Sequence, residues 1–492
     1  MTTPTRLPLS TFMPGSSFRQ YILLEQIGVG GQGVVWSALD QVRKCIDAIK
    51  FTEILESGEA QADEIKAGHQ QEQLVKLHHP HILPFREFGF DGRMRFSVTP
   101  YIAGGTLTQR IRTEPLFIDD VLRCGMEIAS ALDFLHAQGV IHRDLKSSNI
   151  LLDLSGHTYL ADFGLARFIS TSTLVLHTGH GTPPYAPPEQ NRMKAITPRS
   201  DIFSFGILLF EMFTGQLPWN GKKQLGMEQL YSTEELPDPR EVNADLPPRT
   251  VDVLRRVTSA DPELRPRSAG EVMKMICYIF NVPYEPVNDG KGHDERAARE
   301  NDVAELLRQG LAQWQSSDGM YNLGLTRFAM INLERKSIDT DIFSSFLLSQ
   351  ALTYDHDDDQ WWSAVGDPEK RLSVSALLLG KGNEVIAARV MEHLTGDMEI
   401  RAFSNGLPDS ITASLLGIGT NTGNVILRQQ ILHGIRVLTR PGKMWGGKTL
   451  SLNTDQIQQL GDLALEDSDA GDEAAELIGH LRATSAVQTV VN

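Results

Sequence analysis

The spacing of apolar positions changes along the chain. Between Tyr21 and Arg95 the apolar runs are short, such as Val34-Val35-Trp36 and residues 46–51. They are β-branched or aromatic and bounded by glycines or polar turns, which predicts strands. One stretch, residues 57–77, instead places Ile65, Leu74 and Leu77 at helical steps. From Leu122 onward the helical period takes over, with Met126, Ile128, Ala129, Leu132 and Leu135 three or four residues apart. A strand-rich part followed by a larger helical part predicts an α+β domain over residues 18–280, after a flexible N-terminus over 1–17.

Residues 281–300 (NVPYEPVNDGKGHDERAARE) are polar, carry two prolines and two glycines and lack periodicity, which predicts a linker. Beyond it, residues 371–379, 384–394 and 425–438 are amphipathic at helical period, so 301–492 is expected to be a mostly α-helical domain. Stacked hairpins of the HEAT type would suit such segments, although no repeat of fixed period supports them. Residues 466–476 (EDSDAGDEAAE) read as a solvated loop entering a last helix.

Composition narrows the possible roles. At 492 residues the chain exceeds what one hydrophobic core supports. Its 46 Lys and Arg against 62 Asp and Glu give a net charge of −16, which repels nucleic acid and anionic membrane, so no nucleic-acid partner is expected. By region, 18 basic against 29 acidic residues follow Val287, so the tail holds most of that excess. Cys45, Cys124 and Cys277 are far apart, without CxxC or Cys/His spacing, and read as buried thiols of a reducing compartment. Residues 1–17 have no apolar run and do not read as a signal peptide. The most apolar stretch, 202–213, falls short of the ~18 residues of a membrane span. No membrane span and a cytoplasmic location are therefore expected.

The chemistry concentrates in three places. Gly28-Val-Gly30-Gly-Gln-Gly33 matches GxGxxG, a pattern that dinucleotide sites share. Such a site needs a helix after the third glycine, whereas Val34-Val35-Trp36 favours a strand, so these glycines sit at a strand-to-strand turn able to fold over phosphates. His142-Arg143-Asp144-Leu145-Lys146-Ser147-Ser148-Asn149 puts a carboxylate, an ammonium and a carboxamide in one loop, and Asp162-Phe163-Gly164 follows. Phosphoryl transfer needs these parts: an acceptor for a hydroxyl proton, a cation on the moving phosphate and oxygen ligands for magnesium.

On these motifs the chain resembles the eukaryotic-type protein kinases, specifically the serine/threonine kinases that bacteria also carry. Ala48-Ile49-Lys50, Gly181-Thr182 to Pro188-Glu189, Asp201 and Arg265 in Asp-Pro-Glu-Leu-Arg-Pro complete the family's order of motifs. The resemblance implies a bilobal kinase fold, ATP and Mg2+ as cofactors, and a protein substrate. It implies that Lys50 holds the α- and β-phosphates, that Asp144 orients the substrate hydroxyl and takes its proton, and that Lys146 supports the γ-phosphate. Asn149 and Asp162 would bind magnesium. Gly28, Gly30 and Gly33 would cover the phosphates. Val35, Ala48 and Leu151 would enclose the adenine, with Thr99 as gatekeeper and Pro100, Tyr101 and Ile102 as hinge. Glu189 and Arg265 would form a buried structural ion pair.

Lys146 and Thr182 are of the Ser/Thr type at their positions in that resemblance. Arg143 beside Asp144 suggests activation by phosphate, with Ser170, Thr171, Ser172, Thr173 and Thr178 as acceptors for autophosphorylation. Ser147 and Ser148 stand where some kinases carry a glutamate that attracts basic peptides.

One departure concerns the family's small-lobe helix glutamate. Counting back from His79-Pro80, its position falls on Gln70, which can accept a hydrogen bond from Lys50 but brings no charge. A slow or partner-assisted kinase is therefore expected. A pseudokinase scaffold, binding nucleotide or partners without transfer, is the competing reading, and Gln70 is the single residue arguing for it. A kinase-fold small-molecule phosphotransferase is disfavoured by the Gly-Thr-Pro-Pro-Tyr platform. Asp47, next to Ala48, is expected to face outward by strand alternation. In the tail, the run Asp355-His-Asp-Asp-Asp359 lacks the spacing and glycine of a calcium loop and reads as a solvated turn before Trp361-Trp362, a pair expected in the tail core. The tail is expected to regulate the kinase or to hold a protein partner.

Overall fold

The computed structural model describes residues 12–30, 33–53, 77–92, 94–162, 167–168, 184–191, 196–219, 235–285, 295–317, 321–334, 340–354, 358–380, 383–397, 409–422, 425–439, 472 and 474–475. The chain divides into two compact units, residues 1–306 and 307–492.

The first unit opens with a six-stranded antiparallel sheet. Its strands are β1 (Ser17–Phe18), β2 (Tyr21–Gly30), β3 (Gly33–Asp40), β4 (Cys45–Glu53), β5 (Glu87–Asp91) and β6 (Met94–Pro100), in the spatial order β1-β2-β3-β4-β6-β5. Alternation divides β4 between two faces. Ile49 pairs with Trp36 and Val98, and Phe51 with Val34 and Phe96, giving an aromatic and aliphatic core with Tyr21 and Leu23. Lys50 pairs with Val35 and Ser97, and Ala48 with Ser37 and Thr99. Directly opposed residues project to the same side, so Val35, Ala48, Lys50 and Thr99 share the other face, where all four are half-buried.

Asp47 corrects the outward expectation. Alternation puts it with Ile49 and Phe51, and that face is covered, so Asp47 is 0% exposed. Arg86 Nε lies 2.9 Å and Arg43 3.8 Å from its carboxylate. Burial pushes the carboxyl up to about 6 despite these cations.

At the β2–β3 turn, Gly33 has φ +121°, and a Cβ there would run into the Phe51 carbonyl oxygen, so the third glycine is required by backbone conformation and by space. Gly31 and Gln32 lie outside the described residues, as do residues 57–76 of the helical stretch read over 57–77, Gln70 among them.

The larger lobe is built on helices α1 (Leu107–Thr113), α2 (Ile118–Ala137), α3 (Pro188–Asn191), α4 (Pro198–Thr214), α5 (Pro248–Val257) and α6 (Ala269–Ile279). Between α2 and α3 run the short strands β7 (Val140–Ile141), β8 (Ile150–Leu152), β9 (Thr158–Leu160) and β10 (Arg167–Phe168), paired as β7–β10 and β8–β9. The apolar run at 202–213 is the middle of α4, and every residue from Ser200 to Phe213 is buried. Thr197 and Ser200 form a capping box at its start, Pro198 occupies the first turn, and Gly215 ends it at φ +74°. No helix among the described residues is long and apolar enough to cross a membrane.

Helix α7 (Glu295–Ser316) starts within the polar stretch 281–300, and the division between units falls inside it. The second unit holds α8 (Leu325–Leu333), α9 (Thr340–Tyr354), α10 (Asp358–Ala364), α11 (Pro368–Leu379), α12 (Glu384–Gly396), α13 (Asp409–Asn421) and α14 (Val425–Thr439). The three amphipathic segments read from sequence are α11, α12 and α14. Helices pack on the next in sequence and on the one beyond it: α9 meets α10 and α11, α11 meets α12 and α13, and α14 meets α12 and α13.

The tryptophan pair lies in this core, Trp361 at 0% and Trp362 at 6% exposure. Their indole N–H groups donate to Asn332 Oδ1 at 2.6 Å and Asp397 Oδ2 at 2.7 Å, and Arg371 also pairs with Asp397 at 2.6 Å. Of the acidic run, Asp355, His356 and Asp357 lie outside the described residues. Asp358 opens α10 with its carboxylate 3.2 Å from His393, and the Asp359 side chain is exposed.

Candidate active site

The loop from His142 to Asn149 leaves β7 directly above the N-terminal turn of α4. Asp201 of that turn is fully buried and accepts from the backbone N–H groups of His142 at 2.8 Å and Arg143 at 2.9 Å. His136 Nε2 lies 2.8 Å from the same carboxylate. Burial alone would raise this carboxyl, but His136 and the backbone donors outweigh it and hold it below the ordinary range. The clamp secures a costly backbone, since Arg143 has φ +70° and no glycine's freedom. Gln190 of α3 holds the next peptide, its amide donating to the Arg143 carbonyl at 3.3 Å.

Held this way, Asp144 is 6% exposed and sits among the loop's other polar groups. Lys146 Nζ is 2.7 Å from Asp144 Oδ2. Asn149 Nδ2 donates to the Asp144 carbonyl at 2.8 Å and to its carboxylate at 3.1 Å. The loop is tied to the Asp162 segment by Ala161 N–H donating to the Asn149 carbonyl at 2.8 Å, and by His142 Nε2 3.1 Å from the Ala161 carbonyl. Asp162, itself at φ +61°, places both carboxylate oxygens 2.8 Å from Lys50 Nζ. One connected set therefore runs from Lys50 on the sheet face to Asp162, through the Ala161 backbone to Asn149, and on to Asp144 and Lys146.

Around this set lie the remaining predicted positions. Gly28 pairs with Val35, and Gly30 with Gly33, at the glycine turn. Thr99 closes the face beside Ala48. Tyr101 N–H donates to the Ile46 carbonyl at 3.3 Å, fixing the start of the hinge against β4. Ile102 and Leu151 pack on one small cluster of Leu83, Tyr159 and Ala161. Phe163, Gly164, Ser170 to Thr173, Thr178, Gly181 and Thr182 lie outside the described residues.

A second buried network escaped the sequence reading. The Ser147 hydroxyl lies 2.6 Å from Thr108 Oγ1, 3.1 Å from the Tyr185 hydroxyl and 3.1 Å from Glu211 Oε1, while Tyr185 donates to Glu211 Oε2 at 2.5 Å. It joins the loop to α1, to α4 and to the residues before α3. The available signal was Glu211 itself, an acid inside an otherwise apolar run. Burial raises its carboxyl against the pull of Tyr185 and Ser147. Deeper in the lobe Glu189 and Arg265 pair as expected, at 2.6 and 2.9 Å. All three cysteines are buried, and burial pushes the Cys45 thiol up to about 11 and the Cys124 thiol up to about 12.

Residues 21–277 match the family described as the protein kinase domain. The probable serine/threonine-protein kinase PknB of Lactococcus lactis is 32% identical over 283 residues, 56% of this chain and 45% of its own. The serine/threonine-protein kinase PrkC of Bacillus subtilis is 31% identical over 268 residues, 54% of this chain and 41% of its own. The serine/threonine-protein kinase ULK3 of Xenopus laevis is 33% identical over 254 residues, about half of each chain. The chain spans less than half the length of the two bacterial relatives. With the family match covering more than half of this chain and the matched loop folded around Asp144 as above, the chain belongs to the protein kinase domain family.

Proposed function

We propose that the chain transfers the γ-phosphate of Mg-ATP to serine or threonine hydroxyls of a protein substrate. The observation that carries this reading is the convergence of Lys146 and Asn149 on Asp144, joined through Asp162 to Lys50. Asp144 accepts and orients the incoming hydroxyl and takes its proton. Lys146 brings positive charge beside that carboxylate, where the moving phosphoryl group carries negative charge. Lys50 offers its ammonium to the α- and β-phosphates. Val35, Ala48, Thr99 and Leu151 with Tyr101 and Ile102 form the adenine surface, and the Gly28–Gly33 turn covers the phosphates.

The donor set suits magnesium. Asn149 commits its amide nitrogen to Asp144, which leaves the oxygen end, and Asp162 offers a carboxylate; both are hard oxygen donors of the kind Mg2+ selects. Bound Mg-ATP supplies the transferable phosphoryl group and the charge that offsets its oxygens. The pseudokinase alternative finds no support in the relatives, which carry kinase names, and against Gln70 stand Lys50, Asp144, Asn149 and Asp162, all present. Three buried free thiols suit a cytoplasmic setting. The helical tail is read as the regulatory or partner-binding part.

The test is incubation of the full chain with Mg-ATP and a generic basic protein, followed by phosphoamino-acid analysis. Phosphoserine or phosphothreonine is expected; phosphotyrosine alone would overturn the acceptor class. Two substitutions probe the parts. Asp201→Asn sets an amide donor against a backbone N–H, and leaving such a group unmatched costs ~1–3 kcal/mol, so kcat should fall about tenfold with little change in ATP affinity. Equal kcat would mean the clamp does not position Asp144. Gln70→Glu should raise turnover, up to about tenfold, by adding a charge partner for Lys50; unchanged turnover would remove the register that places Gln70 there.

A further inference from the structure

The hinge, Pro100 to Ile102, and the residues after it to Gly105 are held from behind at both ends. At its start Tyr101 bonds to Ile46, next to Cys45 on β4. At its end Leu152 N–H donates to the Gly105 carbonyl at 2.8 Å, and a Cβ on Gly104 would run into the carbonyl oxygens of Leu152 and Asp153. The chain then turns at Asp153–Gly156, closed by Gly156 N–H donating to the Asp153 carbonyl at 3.0 Å.

Helix α7 reaches the second of these supports. Asp302, 6% exposed, accepts from the Leu154 N–H at 3.1 Å across 148 residues of sequence. Arg299 precedes it by three residues and so lies on the same helix face. Its charge lowers the Cys45 thiol against the larger upward push of burial. Asp302 in turn adds to the charges that raise the Tyr159 phenol, where burial and Asp153 act first. Burial pushes the Asp302 carboxyl itself up to about 6, a cost that a merely exposed helix would not bear.

We propose that α7 is a buttress of the hinge, fastened through Asp302 to the turn behind the hinge's end, through which the region beyond the kinase fold tunes nucleotide affinity. Anything that favours the undocked helix then loosens the hinge, and by linkage ATP favours the docked one. The structural half stands on the contacts alone; the nucleotide half rests on the function proposed above.

The test uses the full chain with two variants. Leu154→Pro removes the one N–H that Asp302 accepts, at the second position of a β-turn, where proline is favoured. Asp302→Asn keeps an acceptor of the same shape. Hydrogen exchange of residues 299–306 and of the hinge is measured beside the Kd for Mg-ATP, with exchange in α4 as the folding control. For Leu154→Pro, protection over 299–306 should fall about tenfold and the Kd should rise about three- to tenfold, while Asp302→Asn stays near wild type in both. Unchanged protection at 299–306 would overturn the anchoring. Lost protection with an unchanged Kd would overturn the tuning. A wild-type chain that binds no Mg-ATP would overturn the nucleotide reading, with the exchange result still deciding the anchoring.

Discussion

Asp144→Asn is expected to lower the rate of phosphate transfer roughly 10²- to 10⁴-fold while leaving Mg-ATP affinity within a few-fold. In the proposed function the carboxylate accepts the hydroxyl proton, and an amide of the same shape cannot take that proton. The loop should nevertheless keep its form. Asp201 holds the backbone before it, and Asn149 still has the residue-144 carbonyl to bond. Lys50 pairs with Asp162, a pair the substitution leaves chemically unchanged, so the proposed nucleotide contacts should persist. Steady-state kinetics with varied ATP would separate the two effects. A fall in affinity as large as the fall in kcat would mean that Asp144 acts in binding and not in transfer.

Replacing Arg265 by leucine should have the largest effect on stability. Its side chain is 0% exposed and that of Glu189 5%. The guanidinium makes two bonds to that carboxylate and also donates to the carbonyls of Ser259 at 2.8 Å and Arg199 at 2.9 Å. Removing one partner of such a pair strands a buried charge, at a cost of ~3–5 kcal/mol. Loss of that amount should be visible in urea unfolding of the full chain as an earlier transition for the kinase part.

A pH dependence follows from the same pair. Burial would raise the Glu189 carboxyl, but Arg265 outweighs it and holds it below its ordinary value. A carboxyl depressed on folding contributes stability that is fully present above its unfolded value, ~4.3, and lost as pH falls through the lower folded value. In Arg265→Leu that acid-side loss should disappear, because the depressing charge is gone. An unfolding midpoint unchanged by the substitution would contradict the structural role of the pair.

Much of the site was legible because its parts are local. Asp144, Lys146 and Asn149 belong to one eight-residue loop, and strand alternation puts Val35, Ala48 and Lys50 on one face once β4 is recognised. Alternation says which face a residue takes but not what covers that face, and Asp47 shows the difference: it lies on the aromatic side of the sheet and is buried, paired with the half-buried Arg86. The Ser147 network was illegible for a related reason. Its partners Thr108, Tyr185 and Glu211 lie 39, 38 and 64 residues away, and only the fold brings hydroxyls and acid together. Asp302 gave no signal either, because an aspartate in a polar stretch reads as solvated until a distant N–H is found against it.

The most direct test of the kinase reading is intact-mass analysis and site mapping of the purified full chain after incubation with Mg-ATP, with Asp144→Asn treated in parallel. The expected result is phosphate gained by the wild type on serine or threonine, with sites among Ser170 to Thr178, and none gained by the variant. No gained phosphate in a wild-type chain that binds Mg-ATP stoichiometrically, or equal gain in both proteins, would contradict it.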